Sequence, residues 1–315
     1  MCYIWKHPSI EKDEIKPEVM ARLPNDMGRI NITGGEPMIR DDIGEIVDVL
    51  YPKTEVLEIS TNGFYTDKIV QIARKYPDVL IRVSTEGLPS VNDRLRGTPD
   101  GFDHALRTIL ELKRAGAKNI GFGIVICDKN AMELLYLYEL CCYLGIEFGN
   151  ATMHNSWYFH KLDNVIEDRA KTVEWEKRYI KALLTSPRTR IPARTKDWLR
   201  AYFNKSILRM IAGEQGFRPP CVAGTDMFFL DPWGNILPCN GTDERWIMGS
   251  LKEEPFEQIW HSKKAQTIRA QVQQCQKTCC FVATERFDMV RRPWRPILWI
   301  LRNKIRLMLD KEMDF

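Results

Sequence analysis

No stretch of this sequence approaches the roughly 18–20 consecutive apolar residues that a membrane span requires. The beginning, MCYIWKHPSIEKDEIK, lacks the apolar centre and small-residue cleavage site of a secretory signal. The expected compartment is therefore the cytoplasm. Internal repeats and low-complexity segments are absent, which excludes a solenoid or a linker-like chain. Net charge is only +4 over 315 residues, too weak to indicate a nucleic-acid partner. Histidine is scarce: His154 and His160 flank Trp157, Tyr158 and Phe159 in a loop, where surface or packing roles suffice. What remains is a chain 44% apolar and 28% charged, able to bury the core of one large domain with or without an appendage.

From residue 28 to about 150, short apolar runs alternate with helical segments. GRINITGG, EVLEISTNG, VLIRVSTEG and NIGFGIVICDKN are rich in β-branched residues and end in Gly, Ser, Thr or Asn, the pattern of strands meeting turns. DIGEIVDVLYP, TDKIVQIARKYP, FDHALRTILELKRAG and AMELLYLYELCCYLG carry apolar residues at helical spacing. Pro52, Pro77, Gly116 and Gly145 punctuate the helix ends. Alternation at this spacing implies parallel βα units and an α/β fold. In such folds ligands bind at the carboxyl ends of the strands. Thr33-Gly34-Gly35-Glu36-Pro37, Ser60-Thr61-Asn62-Gly63, Ser84-Thr85-Glu86-Gly87 and Asp128-Lys129-Asn130 should therefore share one rim. Two long helices are expected over 163–184 and 193–212, and a domain boundary near Gly216, where the chain becomes dense in Pro, Gly and aromatics.

Nine cysteines are present, five of them after residue 220. In a reducing compartment clustered cysteines point to metal or redox chemistry more often than to disulfides. Cys127 ends an apolar run, and Cys141 and Cys142 sit in a helical stretch; all three are expected in the core. Cys221, Cys239, Cys275, Cys279 and Cys280 form a second group. Four thiolates on short loops suit one iron–sulfur cluster, while zinc takes the same tetrahedral sulfur set. Pro219-Pro220 and Pro238 stiffen the approaches to two of these cysteines, and Gly234 permits a sharp turn between them.

Gly34-Gly35-Glu36-Pro37 at a strand end resembles the GGEP segment of the radical S-adenosylmethionine (SAM) superfamily, and the later strand ends and Asn92-Asp93-Arg94-Leu95-Arg96-Gly97 follow in that family's order. The segment MFFLDPWGNILPC and the closing cysteines resemble the SPASM and twitch extensions found there. The resemblance implies a partial (β/α) parallel barrel lacking its first strand (residues 1–215), a small cysteine-rich auxiliary-cluster domain (216–285) and a basic tail (286–315). It implies that Gly34, Gly35, Glu36, Pro37, Ser60, Asn62, Ser84, Glu86, Arg96 and Asn130 serve SAM, with Glu36 receiving the methionine amino group and Ser84 and Arg96 serving the ribose or carboxylate. Glu86 stands where relatives commonly carry Asp. The auxiliary [4Fe–4S] cluster would take Cys221, Cys239, Cys275 and Cys279, with Cys280 the rival for the last place. Met1-Cys2 resembles the end of the family's C-x3-C-x2-C motif, making Cys2 its third ligand; the expectation is a chain truncated inside that motif, whose catalytic [4Fe–4S] cluster and SAM cleavage belong to a longer form.

By resemblance, the activity is a radical oxidation or maturation reaction. A 5′-deoxyadenosyl radical would abstract hydrogen from a peptide or small molecule, with an electron donor such as flavodoxin or ferredoxin. A non-catalytic electron-transfer or binding remnant and a zinc-stabilised α/β protein remain the alternatives. Residues 291–306, RRPWRPILWILRNKIR, carry six basic residues and no acid, with Trp294, Leu298, Leu301 and Ile305 at near-helical spacing. Such a helix either packs against the barrel or lies in an anionic membrane surface.

Overall fold

The β-branched runs do form strands, because each is bounded by a turn and flanked by a helix whose apolar stripe covers it. The computed structural model describes residues 2–214 and 221–315. After a short helix α1 (Pro17–Met20), strands β1 (Ile30–Ile32), β2 (Leu57–Thr61), β3 (Leu80–Ser84), β4 (Asn119–Ile126) and β5 (Glu147–Thr152) alternate with further helices. These are α2 (Ile43–Leu50), α3 (Thr66–Lys75), α4 (Pro89–Arg96), α5 (Gly101–Arg114) and α6 (Glu133–Leu144). The five strands form one parallel sheet in the order β1-β2-β3-β4-β5, an open partial barrel. The expected α/β class and parallel sheet both hold.

One face of the sheet packs on the helices through Ile59, Ile81, Phe122 and Phe148, all buried. The other face carries charge. Arg82 on β3 is paired in register with Gly121 on β4, and Gly121 with Glu147 on β5. Arg82 crosses above these neighbours to reach the Glu147 carboxylate, with Glu58 at 3.9 Å on its other side. A Cβ added to Gly121 would fall 2.2 Å from the Glu147 carbonyl oxygen and 3.0 Å from Arg82 Nη1. Only glycine leaves room for that crossing.

The helical hairpin that follows is α7 (Arg169–Leu184) and α8 (Ile191–Ala212). The first helix starts six residues later than the sequence pattern suggested, because the Asp168 side chain accepts from the Lys171 N–H and fixes the helix start there. On α8, Arg200 and Lys196 reach Glu147 at 2.8 and 2.5 Å, and Asn204 bonds Asn150. The helix thereby covers the free edge of β5. Cys127 and Cys141 are buried as expected, whereas Cys142 is only half-buried.

The C-terminal region holds an antiparallel sheet of β6 (Phe229–Leu230), β7 (Asn235–Leu237) and β8 (Gly249–Ser250), then α9 (Phe256–His261), α10 (Lys263–Gln273), α11 (Val282–Arg291) and α12 (Trp294–Met308). Asp231 builds the β6–β7 turn, accepting from the Trp233 and Asn235 N–H groups at 3.0 and 2.8 Å and from Tyr158 Oη at 3.2 Å. Gly234 completes the turn at φ +93°, a value that favours glycine. The expected boundary near Gly216 and the Pro219-Pro220 pair lie outside the described residues. Among the described residues no helix is long and apolar enough to cross a membrane.

Candidate functional site

At the carboxyl end of β1 the chain turns through Gly34, whose φ of +151° is rarely adopted by L side chains and whose missing Cβ would stand in open space. Glu36 follows. One of its oxygens, Oε1, accepts from Thr61 Oγ1 at 2.8 Å and from the Met38 N–H at 3.1 Å. The other, Oε2, accepts from the Asn62 N–H at 2.6 Å. Burial pushes the Glu36 carboxyl above the usual range, and these hydrogen bonds and Arg96 oppose the rise. A carboxylate offers about four lone-pair positions; three are taken, and the fourth, on Oε2, remains. Pro37 is buried beneath in a single 3-10 turn, Pro37–Ile39.

The next strand ends supply a second layer. Ser60 Oγ donates to Asn31 Oδ1 at 3.2 Å, and Asn62 Oδ1 accepts from the Phe64 N–H at 2.9 Å, closing its turn. Ser84 ends β3 half-buried, opposite Gly123. Glu86 is buried, accepting from Arg96 Nη1 at 3.2 Å and from the Val125 N–H at 3.0 Å. Burial raises its carboxyl and Arg96 pulls it back. Asn130 is buried completely: its Nδ2 donates to the carbonyls of Glu86 and Val125 at 3.1 and 3.0 Å, and its Oδ1 accepts from the Cys127 N–H. Both amide hydrogens are thus committed to holding the β3 and β4 ends together. Thr85 is fully buried, in alternation with the core residues Ile81 and Val83, and its Oγ1 has no partner.

Thr61 was placed at the rim by sequence without a role, and Glu133 escaped the sequence reading. Thr61 Oγ1 holds Glu36. Glu133, at the start of α6, accepts from the Leu88 N–H at 2.7 Å and packs under Gly87, where a Cβ would meet its Cγ at 2.8 Å. Nothing in the spacing links Glu133 to a turn 45 residues earlier.

Cys2 lies beside this rim. Ile4 approaches to 3.7 Å of where a Gly35 side chain would begin, and the Tyr3 N–H donates to Phe159 O at 2.8 Å. Met1 is outside the described residues.

Cys221, Cys239 and Cys275 all lie within electrostatic reach of Cys279. Burial pushes the Cys279 thiol up to about 12, and Cys239, Cys275 and Cys221 each add to the rise. Cys239 is raised in the same way, by burial and then by Cys221 and Cys275. Lys277 opposes both shifts with its cation while donating to Gly241 O. Cys280 turns away: its sulfur is buried 3.9 Å from Glu285 Oε1. Among the described residues no three His, Cys, Asp or Glu side chains are grouped as they would be around a metal ion. The other three thiols are near enough for Cys279 to feel them, and an iron–sulfur cluster takes its thiolates on separate iron corners. The residues present fit both cofactors: open backbone and a remaining carboxylate lone pair at the rim for SAM, and soft sulfurs for a cluster.

Comparison with known proteins gives the same division. Residues 2–141 match the model of the radical SAM superfamily, and residues 221–281 that of an iron-sulfur cluster-binding domain, SPASM. The chain is 25% identical over 259 residues to pre-heme d1 synthase of Dinoroseobacter shibae, covering 75% of this chain and 63% of that protein. It is 26% identical over 245 residues to mycofactocin maturase MftC of Mycolicibacterium smegmatis, covering 76% and 60%. It therefore spans about three-fifths of the length of these curated relatives. Its fold is similar to native anSMEcpe with bound AdoMet and Cp18Cys peptide, at TM-score 0.60 and 12% identity, covering 91% of this chain and 90% of that one. The chain belongs to the radical SAM superfamily, in the group that carries a C-terminal SPASM iron–sulfur domain.

Proposed function

We propose that this chain binds SAM at the carboxyl ends of β1 to β4 and one auxiliary [4Fe–4S] cluster at Cys221, Cys239, Cys275 and Cys279, as part of a radical maturase acting on a peptide. The observation that carries the reading is Glu36, fixed by Thr61 and Asn62 with one lone pair left beside the open backbone of Gly34. SAM, when bound and reduced through an iron–sulfur cluster, supplies a 5′-deoxyadenosyl radical that removes a hydrogen atom from a substrate. The chain's own residues do the orienting. Glu36 takes the amino group of the methionine moiety as a charge-assisted hydrogen bond. The Arg96–Glu86 pair and Ser84 bound the pocket farther along the rim, where the ribose or carboxylate would lie. Cys2 stands two residues before Ile4, whose side chain lies against Gly35. Its part in a catalytic cluster rests on the family's motif.

A maturase reading is supported by the name of one relative, and a peptide substrate by a protein of similar fold solved with a bound peptide. An electron carrier of the flavodoxin or ferredoxin kind would supply the reducing equivalent. Anaerobic reconstitution with iron and sulfide, followed by equilibrium dialysis against labelled SAM, tests the binding claim. Iron bound by the later cysteines together with saturable SAM uptake is expected. Zinc in place of iron, or no SAM uptake, would defeat it. Formation of 5′-deoxyadenosine in the same sample tests the chemistry.

A further inference from the structure

We propose that α12 holds one edge of the protein against an anionic lipid surface. The helix has two apolar faces, and the fold uses only one. Pro296, Trp299, Ile300 and Asn303 are buried against α8 and α7. The final residues clamp that side: Trp299 Nε1 and Asn303 Nδ2 donate to Asp314 O, and Asn303 Oδ1 accepts from the Asp314 N–H. The opposite side carries Trp294, Ile297, Leu298, Leu301, Ile305 and Met308, each more than half exposed. At 3.6 residues per turn these six fall in one stripe, about 22 Å long over the helix.

The border of the stripe decides what covers it. Arg295, Arg302 and Arg306 run along one side, with Arg291 and Arg292 just before the helix; Lys304, on the other side, turns back to donate to Leu184 O over the Trp198 ring. Arg302 pairs with Asp314 at 3.0 Å and Arg295 approaches Asp288 at 3.5 Å. Arg291 and Arg292 pair with Asp226 and Asp288 at 2.6 and 3.2 Å; the Arg302–Asp314 pair is largely exposed and worth little. An apolar stripe with a tryptophan, bordered by cations, matches a surface with acyl chains beneath and negative headgroups above. A second copy of this chain would bring the same cations face to face.

Flotation of the full chain with phosphatidylcholine vesicles, and with vesicles of equal parts phosphatidylcholine and phosphatidylglycerol, tests this. Binding to the mixed vesicles is expected to be at least about tenfold tighter and to weaken in high salt. L298E/L301E, at exposed positions, should abolish it while leaving thermal unfolding unchanged. R295Q/R306Q should lower it by roughly fivefold per charge removed, and decides the matter if the first variant fails to fold. Equal binding to both vesicles, or no effect of either variant, would overturn the proposal. So would a dimer in light scattering that L298E/L301E disperses, since a second copy would then cover the stripe.

Discussion

The backbone N–H of Asn62 donates to Glu36 Oε2 at 2.6 Å, so an acid that follows one strand is aimed by the end of the next. The acid's direction is set jointly by the end of β2 and by the Met38 N–H of its own loop. Glu36→Gln keeps the shape and removes the charge. SAM affinity measured by equilibrium dialysis should fall by at least about tenfold, the worth of a charge-assisted bond. Because burial raises the Glu36 carboxyl, affinity in the unsubstituted protein should decline on the acid side as the carboxylate protonates. The pH profile of Glu36→Gln should be flat there.

Cys279 and Cys280 are adjacent yet face different surroundings. Cys279→Ala should lose the auxiliary iron and its visible absorbance on reconstitution, while Cys280→Ala should keep both. The reverse outcome would transfer the fourth ligand to Cys280.

Glu147 reports on the charged face of the sheet. Its burial would raise the carboxyl, but Arg82, Arg200 and Lys196 outweigh that and hold it down at about 2. A carboxyl depressed in the folded state contributes stability above its unfolded value, near 4.5, and loses it as pH falls toward 2. That contribution is about 3 kcal/mol at neutral pH. Glu147→Gln should lose about that much in urea unfolding at pH 7 and should show a shallower decline between pH 4.5 and 2.

Gly121→Ala pushes a methyl group into the Glu147 carbonyl and the Arg82 guanidinium. A cost of about 3 kcal/mol is expected, read as a lowered midpoint in thermal or urea unfolding. Gly123, two residues on, has open space at its Cβ position. Gly123→Ala should be nearly neutral by the same measurement.

Much of this was legible in the residues. Strand ends announce themselves when β-branched runs stop at Gly, Ser or Asn, and the Gly34–Glu36 segment falls where the parallel sheet needs it. The cysteine group was visible as a group, with Cys279 preferred and Cys280 its rival, but spacing cannot orient neighbouring side chains and gave no sign that the Cys280 sulfur lies 3.9 Å from Glu285 Oε1. The charged pairing of Arg82 with Glu147 was not legible at all, because it joins residues 65 positions apart through a gap left by a glycine. On α12 the periodic residues Trp294, Leu298, Leu301 and Ile305 were found in the sequence. The fold instead buries the neighbouring Trp299 and Ile300. A helix apolar on two sides gives no sequence signal for which side the core will take.

The order β1-β2-β3-β4-β5 is also the order in which a ribosome releases these strands. Each strand after β1 meets a neighbour that has already emerged, and no strand must be threaded between two others later. Synthesis proceeds at about 5–20 residues per second, slow beside the pairing of local elements. The sheet can therefore be laid down edge by edge during translation. Glu36 acquires its hydrogen bonds as soon as β2 arrives, well before the last cysteine has been made.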